Sequence, residues 1–178
     1  MPKTTVSVVL RLLWWFLMIF GGAVFSIYHD VKSENQFFSP IFHLITFPVG
    51  LILIRLAFNA ASVGGRELKK GRSEGTPRLE TDKLVTTGIY SCMRHPMLFG
   101  LALLPIGWSL ILGSPHFIFY LAPIEALSVI IMVFTFEEME CVKKFNGDYI
   151  EYRKKVPPVS FKKKCLLWLF FKKKPENF

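Results

Sequence analysis

The sequence is poor in cysteine, histidine and acidic residues. Its 178 residues include three Cys and four His, and 13 Asp and Glu stand against 22 Lys and Arg. The cysteines, Cys92, Cys141 and Cys165, lack the spacing of a zinc site, so we predict no metal. Internal repeats are missing, and so are low-complexity tracts apart from lysine clusters, which leaves no sign of a solenoid.

Hydrophobic residues are abundant instead, and they occur in long blocks. They make up 52% of the chain and include 18 Phe. A bilayer core takes about 20 helical residues to cross, and four blocks are long enough. The first is too long for the apolar part of a signal peptide, and further blocks follow it. We therefore predict an all-α integral membrane protein with a single membrane domain, 1–178, and about four transmembrane helices at 6–27, 38–60, 96–114 and 117–136.

Basic residues predict the side of the membrane on which each connection lies. The loop 62–95 holds seven Lys and Arg, and the tail 137–178 holds eleven. The connections 29–37 and 113–116 hold one and none. Because basic residues concentrate in cytosolic segments, we expect both termini, this loop and this tail in the cytosol, with reduced thiols. The formal charge of +9 then indicates attraction to anionic lipid headgroups rather than nucleic-acid binding.

The tail is predicted to begin with a cytosolic amphipathic helix. Apolar residues recur at three- and four-residue spacing from Val142 to Val156, which is typical of a helix with one apolar face. Asn146-Gly147 is expected to strain or break this helix. The apolar run Cys165–Phe171 would rise about 10 Å as a helix and is too short to span. We expect this run either to anchor at the membrane interface or to be disordered.

The last two apolar blocks are predicted to form a hairpin with equal arms of roughly 28–30 Å. Equal arms return the chain to its starting level, which places Arg94-His95 beside Glu137-Glu138 at one membrane surface. The planar guanidinium suits a carboxylate, the imidazole donates or accepts near neutral pH, and carboxylates favour a cation. These groups fit a zwitterionic or cationic ligand with hydroxyls. The alternative is plain interfacial anchoring of two helix ends.

Three polar residues inside the apolar blocks are further candidates. Glu125 lies near the middle of the fourth block, and Arg55 and Asn59 lie one turn apart in the second. Ionisable groups within a membrane are costly and often mark ligand pathways. We therefore regard these three residues as candidates for lining a substrate cavity, with internal hydrogen bonding in the helix bundle as the alternative.

Two ordered motifs between Leu84 and Pro158 carry a family resemblance. The first comprises Leu84–Tyr90, Met93–Met97 and Gly100, and the second comprises Glu137-Glu138, Phe145, Asp148–Tyr152 and Val156-Pro157. Together they resemble the isoprenylcysteine carboxyl methyltransferase family. That family belongs to a wider group of membrane methyltransferases, which includes phospholipid N-methyltransferases.

The resemblance implies a multi-spanning enzyme that binds S-adenosylmethionine at the cytosolic face. Carried onto the matching positions, it assigns cofactor binding to Tyr90, His95, Pro96 and Glu138. It also assigns catalytic roles to Arg94 and Glu137. Arg94 would frame the cofactor or steer the acceptor carboxylate, and Glu137 would assist by binding or by orienting Arg94.

For the acceptor, the resemblance favours a prenylcysteine-like carboxylate, a lipid-linked partner within the membrane. Leu98, Asn146 and Ser114-Pro115 depart from the family pattern, so a phospholipid amine or a small thiol stays open, as does a non-catalytic membrane scaffold. Sterol reductases share the C-terminal resemblance, but four spans are few for that group. By family analogy we expect the endoplasmic reticulum in a eukaryote and the plasma membrane in a prokaryote.

Overall fold

A computed structural model describes residues 13–33, 39–74 and 81–175 of the chain. Parts of the predicted spans, loop and tail lie outside the described residues, at 6–12, 38, 75–80 and 176–178. Within the described ranges every regular element is a helix, and no strand occurs there. The predicted all-α class is therefore confirmed.

Five helices and one short 3₁₀ helix form the described part of the chain. The 3₁₀ helix Gly88–Ser91 precedes the third helix, which is interrupted at Ala102 between Pro96–Leu101 and Leu103–Leu112. The five are α1 Leu13–Lys32, α2 Pro40–Lys69, α3 Pro96–Leu112, α4 Phe117–Lys155 and α5 Lys163–Phe171.

Three of these helices, α1, α2 and α4, are long and apolar enough to cross a membrane. The apolar helix α3 is shorter and rises roughly 25 Å at 1.5 Å per residue. Many large apolar side chains face outward, as Leu44 of α2 does with 76% of its surface exposed. Such a surface suits lipid rather than water. The membrane character is thus supported, while the count of four spans stays a prediction.

By its internal contacts the chain divides into two compact units, and the first comprises Met1–Ile54 and Leu104–Leu127. Its core packs Ala23 of α1 against Phe117 and Ala122 of α4. The helices α2 and α3 approach closely at Gly50, where an added Cβ would lie 2.7 Å from the carbonyl oxygen of Gly107. Glycines at such a crossing are typical of membrane helix packing.

A fully buried carboxylate, Asp30, caps the start of α4 in this first unit. Its Oδ2 accepts the hydroxyl of Ser114, and its Oδ1 lies 3.1 Å from both the backbone nitrogen and Nδ1 of His116. Ser114 Oγ also accepts the backbone N–H of Phe117 at 3.2 Å. The first N–H groups of a helix have no partner within the helix, so Asp30 and Ser114 satisfy them here. We call Asp30, Ser114 and His116 the Asp30 cluster.

The second unit comprises Arg55–Leu103 and Ser128–Phe178. Its α2 and α3 meet at Gly100, where an added Cβ would lie 2.3 Å from Cβ of Ala60. A larger residue at position 100 would therefore force these helices apart. The buried core of this unit joins α2, the 3₁₀ helix and α5, through Ala60, Val63, Ile89, Tyr90, Cys92, Met93, Cys165, Trp168 and Leu169.

Cys92 and Cys165 form a disulfide within this core, and Cys141 is the free cysteine. The expectation of reduced thiols was therefore wrong for two of the three. The two residues are 73 positions apart, and their pairing depends on α5 packing beside the 3₁₀ helix, which no local spacing reveals. The disulfide attaches α5 to the segment that leads into α3.

Two predictions about the tail can be judged from the structure. Asn146 has φ 47° and interrupts the helical path of α4, so the predicted strain at Asn146-Gly147 is confirmed. The alternative of a disordered run at Cys165–Phe171 was wrong, because Trp168 and Leu169 bury one face of a regular helix. Anchoring of that helix at a membrane interface stays a prediction.

Candidate functional site

The turn before α3 carries Arg94 and His95, and a later segment of the chain holds it in place. The backbone N–H groups of these residues donate to the carbonyl oxygens of Pro157 and Pro158, at 3.0 and 3.1 Å. Pro96 then begins α3, where its fixed φ suits a first helical residue and its missing N–H leaves no donor unsatisfied. Two backbone hydrogen bonds and one proline thus fix the position of the Arg-His pair.

Glu138 joins this turn to α4. It is 4% exposed and follows a π-helical turn, Val133–Glu137. Its Oε1 accepts from Nε of Arg94 at 3.0 Å, forms an ion pair with Nη2 of the same side chain at 2.9 Å, and lies 2.6 Å from Nε2 of His95. The hydroxyl of Tyr149 donates to the same oxygen at 3.0 Å. The predicted approach of Arg94-His95 to the glutamate pair is confirmed for Glu138, and we call these four residues the Glu138 cluster.

Arg94 uses its whole guanidinium within the protein. Besides the two bonds to Glu138, its Nη1 donates to the carbonyl oxygens of Arg153 at 3.0 Å and Val156 at 2.7 Å. It is 8% exposed. A buried guanidinium with a partner at each of its three nitrogens holds its neighbours in a fixed geometry. Arg94 therefore joins the Glu138 carboxylate to the chain that follows α4.

Burial and charge have opposing effects on the ionisation of this cluster. Burial lowers the pKa of His95, as does the Arg94 charge, and the hydrogen bond to Glu138 only partly opposes this shift. Glu138 lies beyond Phe136, where the apolar part of α4 ends. Burial alone would raise its pKa, but hydrogen bonds from His95 and Tyr149 and the charge of Arg94 lower it overall. At neutral pH the cluster thus holds a carboxylate anion, a guanidinium and a neutral imidazole that donates from Nε2.

The second carboxylate oxygen of Glu138 lacks a hydrogen-bond donor in the part of the chain that the structure describes. Within the described residues, Oε2 is buried and has no hydrogen-bond partner. Nε of Arg153, whose side chain is 56% exposed, forms an ion pair with it at 3.4 Å. A buried acceptor without a donor is costly, and an ammonium or a hydroxyl would satisfy it. S-adenosylmethionine offers both groups on a cationic molecule, so the residues present fit the cofactor that the family resemblance implies.

The other residues of the predicted cofactor site surround this cluster. Tyr90 is buried, and its carbonyl oxygen accepts the hydroxyl of Tyr152. Burial raises the pKa of the Tyr90 phenol, which therefore stays protonated. Pro96 is buried at the start of α3, and Glu137 is half-buried in the turn before Glu138. Their predicted roles in cofactor binding and catalysis remain predictions.

The three predicted cavity residues lie in different surroundings. Arg55 is exposed on α2, and Nδ2 of Asn59 donates to the carbonyl oxygen of Phe170 at 2.7 Å, which ties α5 to α2. Glu125 belongs to the first unit, where it is buried beside Gly22. An added Cβ at Gly22 would lie 2.6 Å from Oε1 of Glu125. The assignment of these residues to a substrate cavity stays a prediction.

Sequence reasoning did not assign site roles to Tyr149 and Arg153. Both lie in the distal part of α4, where the spacing predicted an amphipathic helix with Tyr149 on its apolar face and Arg153 on the opposite one. The signal that could have identified Tyr149 is its hydroxyl, because a buried tyrosine usually directs that group to a polar partner. Arg153 gave no signal, since one basic residue among several is ordinary in a cytosolic segment.

Comparisons with known proteins agree with this architecture. The chain is 31% identical over 123 residues to Protein-S-isoprenylcysteine O-methyltransferase B of Arabidopsis thaliana, covering 65% of this chain and 56% of that protein. It is 26% identical over 156 residues to Delta(14)-sterol reductase TM7SF2 of Mus musculus, covering 80% and 37%. The chain thus spans about half the length of these relatives, or less.

A solved structure shows the same fold. The eukaryotic intramembrane Ras methyltransferase ICMT (isoprenylcysteine carboxyl methyltransferase) aligns over 83% of this chain and 52% of that chain, with a TM-score of 0.59 and 19% identity. At this level of identity the likeness concerns the fold alone. It supports the helical membrane architecture derived above.

The fold and the site define a helical integral membrane protein with a carboxylate-centred site beside the start of an apolar helix. The family model for phospholipid methyltransferases matches residues 44–148, more than half of the chain. That range includes Arg94, His95 and Glu138. The chain belongs to the phospholipid methyltransferase family, and the resemblance read from its motifs is confirmed.

Proposed function

We propose that this chain is an S-adenosylmethionine-dependent methyltransferase of the membrane, with a prenylcysteine-like carboxylate as acceptor. The observation that carries the proposal is the Glu138 cluster, in which a buried carboxylate keeps one oxygen for a ligand donor. Family membership supports methyl transfer, and the isoprenylcysteine relative supports the acceptor. A phospholipid amine, a small thiol and a non-catalytic scaffold are the other candidates.

Bound S-adenosylmethionine would supply a methyl group on a sulfonium. The protein's part is to bind, to orient and to exclude water, because an in-line displacement gains most from alignment of the reacting atoms. Glu138 would present a preformed anion to a cationic ligand. Arg94, His95 and Tyr149 keep that anion in one position, so we assign them positioning roles.

A carboxylate acceptor suits the ionisation of this site. A carboxylate is already nucleophilic at neutral pH, whereas an ammonium must first lose a proton to a base. His95 is the natural base of the cluster, and because its Nε2 donates to Glu138 at 2.6 Å, an ammonium acceptor would have to give its proton to Nδ1. Arg153, half-exposed beside Glu138, is a cation that could attract the acceptor carboxylate. Glu137 and the predicted cavity residues Arg55, Asn59 and Glu125 remain candidates for contacts with the acceptor.

The excess of basic residues supports a cytosolic position for the site, although a disulfide such as Cys92–Cys165 is uncommon in that compartment. The loop before α3 and the chain after Phe136 contain most of the Lys and Arg, and both contribute to the Glu138 cluster. By the same rule the termini are cytosolic. S-adenosylmethionine would then reach the site from the cytosol, while a lipid-linked acceptor would reach it from the membrane.

The test is a labelling panel with the full chain in nanodiscs. Methyl-labelled S-adenosylmethionine is supplied with N-acetyl-S-farnesyl-cysteine, its carboxamide, phosphatidylethanolamine, or a small alkyl thiol. We expect label in the first acceptor alone, and we expect alkali to release it as volatile methanol, because a carboxyl methyl ester is hydrolysed whereas N-methyl and S-methyl groups are not.

Two controls make the panel decisive. The carboxamide keeps the lipid and lacks the nucleophile, so labelling of it would contradict carboxyl methylation. Alkali-stable label in phosphatidylethanolamine or in the thiol would favour those acceptors instead. A chain that binds neither S-adenosylmethionine nor S-adenosylhomocysteine in a calorimetric titration would be a scaffold, and the proposal would be wrong.

A further inference from the structure

The helix α5 carries basic residues at both ends of an apolar stretch. Lys162–Lys164 lie at its start and Lys172–Lys174 follow its end, and all six are exposed. None of the six forms an ion pair with a carboxylate in the described part of the chain. Phe161 and Phe171, next to the two triplets, are 77% and 59% exposed. We call these six lysines and two phenylalanines the α5 rim.

The packing of α5 places it where the apolar helices of its own unit end. Its Phe170 accepts the hydrogen bond from Asn59 of α2, seven residues before the charged Arg66. The ring of Phe99, in the first turn of α3, lies 5.8 Å from that of Phe161 and 5.9 Å from that of Phe170. Asn59 and Phe99, the residues that α5 contacts, thus both lie at an end of an apolar segment. This level corresponds to the boundary between hydrocarbon and water.

From this placement we propose that the α5 rim is a docking surface for anionic phospholipid headgroups. Lysines beside exposed aromatic residues on a short helix are typical of elements that lie in a membrane interface, where ammonium groups bind phosphates and phenyl rings enter the acyl region. At nine residues, α5 is too short to cross the bilayer. An acidic protein would also attract the lysines, but it would leave unexplained why exposed Phe161 and Phe171 lie at the level of the apolar helix ends.

Docking of α5 would also bear on the candidate site. The buried face of α5 packs Trp168 and Leu169 in the same core as Tyr90 and Met93, and the disulfide joins Cys165 of α5 to Cys92, next to Met93. Met93 is followed directly by Arg94. Headgroups that hold α5 in place would therefore restrain the turn that carries Arg94 and His95, and this effect on the site rests on the proposed function.

The direct test measures thermal unfolding of the full chain in micelles. We add either phosphatidylglycerol or phosphatidylcholine, and we expect the midpoint to rise by several degrees more with the anionic lipid. Substitution of four rim lysines (K163Q, K164Q, K172Q and K173Q) should remove at least half of that difference. About 0.5 M salt should also reduce it, because the Debye length shortens to a few ångströms.

A matched variant separates the rim from general charge. K143Q, K144Q, K154Q and K155Q remove four exposed lysines of α4 and should leave most of the lipid effect. Equal losses in the two variants, or equal midpoints with the two lipids, would overturn the proposal. Inorganic phosphate in place of the lipid should give no comparable rise. A poly-glutamate peptide that stabilises the chain as well as the lipid would assign the rim to an acidic partner instead.

The effect on the site has its own readout. Calorimetric titration of S-adenosylhomocysteine in nanodiscs should show tighter binding, by a few fold, with 30% phosphatidylglycerol than with phosphatidylcholine alone, and the rim variant should lose this gain. Equal affinities in the two bilayers would overturn the proposed effect of lipid docking on the site. Lipid docking itself would still be decided by the unfolding test. Absence of binding in both bilayers would contradict the proposed function, and the unfolding result would still decide the docking.

Discussion

Among the residues that the structure describes, two buried carboxylates each contact a histidine near the end of an apolar helix, yet they are satisfied differently. In the first unit both oxygens of Asp30 are used by Ser114 and His116 at the start of α4. In the second unit the donors to Glu138 converge on Oε1, and Oε2 has no hydrogen-bond partner among the described residues. The Asp30 cluster is complete within the protein, whereas the Glu138 cluster is not.

This difference separates a structural carboxylate from a candidate binding one. Residue type and burial are alike at the two positions, since Asp30 is 0% and Glu138 4% exposed. The charged neighbours of the two carboxylates differ, because two guanidinium groups, those of buried Arg94 and half-exposed Arg153, lie beside Glu138. A buried carboxylate is therefore best judged by how many of its acceptor positions the protein itself fills.

The largest expected effect comes from Glu138→Gln. The substitution keeps the shape, removes the anion, and leaves Arg94 buried without its counter-charge. Removing one partner of a buried, hydrogen-bonded charge pair costs about 2–5 kcal/mol, so the affinity for S-adenosylhomocysteine should fall by roughly 30-fold or more. Isothermal titration of the folded variant checks this, with circular dichroism to establish that helix content is retained. Affinity within a factor of three of the parent would contradict our assignment of the site.

The matched substitution Asp30→Asn should act on stability instead. It removes the same charge from the Asp30 cluster and weakens charge-assisted hydrogen bonds at the start of α4. Hydrogen bonds to charged groups contribute about 1.5–3 kcal/mol, so the unfolding midpoint should fall by roughly 5 °C. Thermal unfolding in detergent measures the shift. The same titration should show unchanged cofactor affinity, and a large loss of affinity would mean that the two clusters do not differ in function.

A smaller effect is expected from Tyr149→Phe. It removes one of the donors to Oε1 and leaves Arg94 and His95 in place. The loss of a hydrogen bond to a charged group costs about 1.5–3 kcal/mol, so cofactor affinity should fall by roughly 10-fold or more. Tyr120→Phe is the control, because Tyr120 is 63% exposed in the first unit. Equal affinities for these two variants would show that Tyr149 does not position the carboxylate.

The smallest effect concerns pH. The pKa of His95 is lowered in the folded protein, so the unfolded chain binds more protons below the ordinary value of 6.5. Stability should therefore fall as pH decreases from 7.5 to 5.5. Glu138, whose pKa is also lowered, adds a further loss only nearer its ordinary value of 4.5. Unfolding midpoints across this range should decline less steeply for His95→Gln than for the parent, and parallel curves would contradict the inference.

The sequence predicted the helical membrane class and the approach of Arg94-His95 to Glu138, because both follow from the length and order of apolar blocks. It could not predict which glutamate would be buried, since Glu137 and Glu138 are adjacent and the π-helical turn Val133–Glu137 sets their orientation. The disulfide, the contribution of Tyr149 and the capping role of Asp30 depend on contacts between distant positions. Local patterns carry no information about such contacts.

The backbone hydrogen bonds from Arg94 and His95 to Pro157 and Pro158 have a consequence for biosynthesis. A membrane protein is inserted from its N-terminus while the ribosome is still translating. The turn before α3 thus enters the membrane surface long before the prolines that hold it have been made. A nascent chain that stops before Pro157 would contain Arg94, His95 and Glu138 and still lack a finished site. Binding competence would therefore arise late in translation, as a property that truncated products do not share.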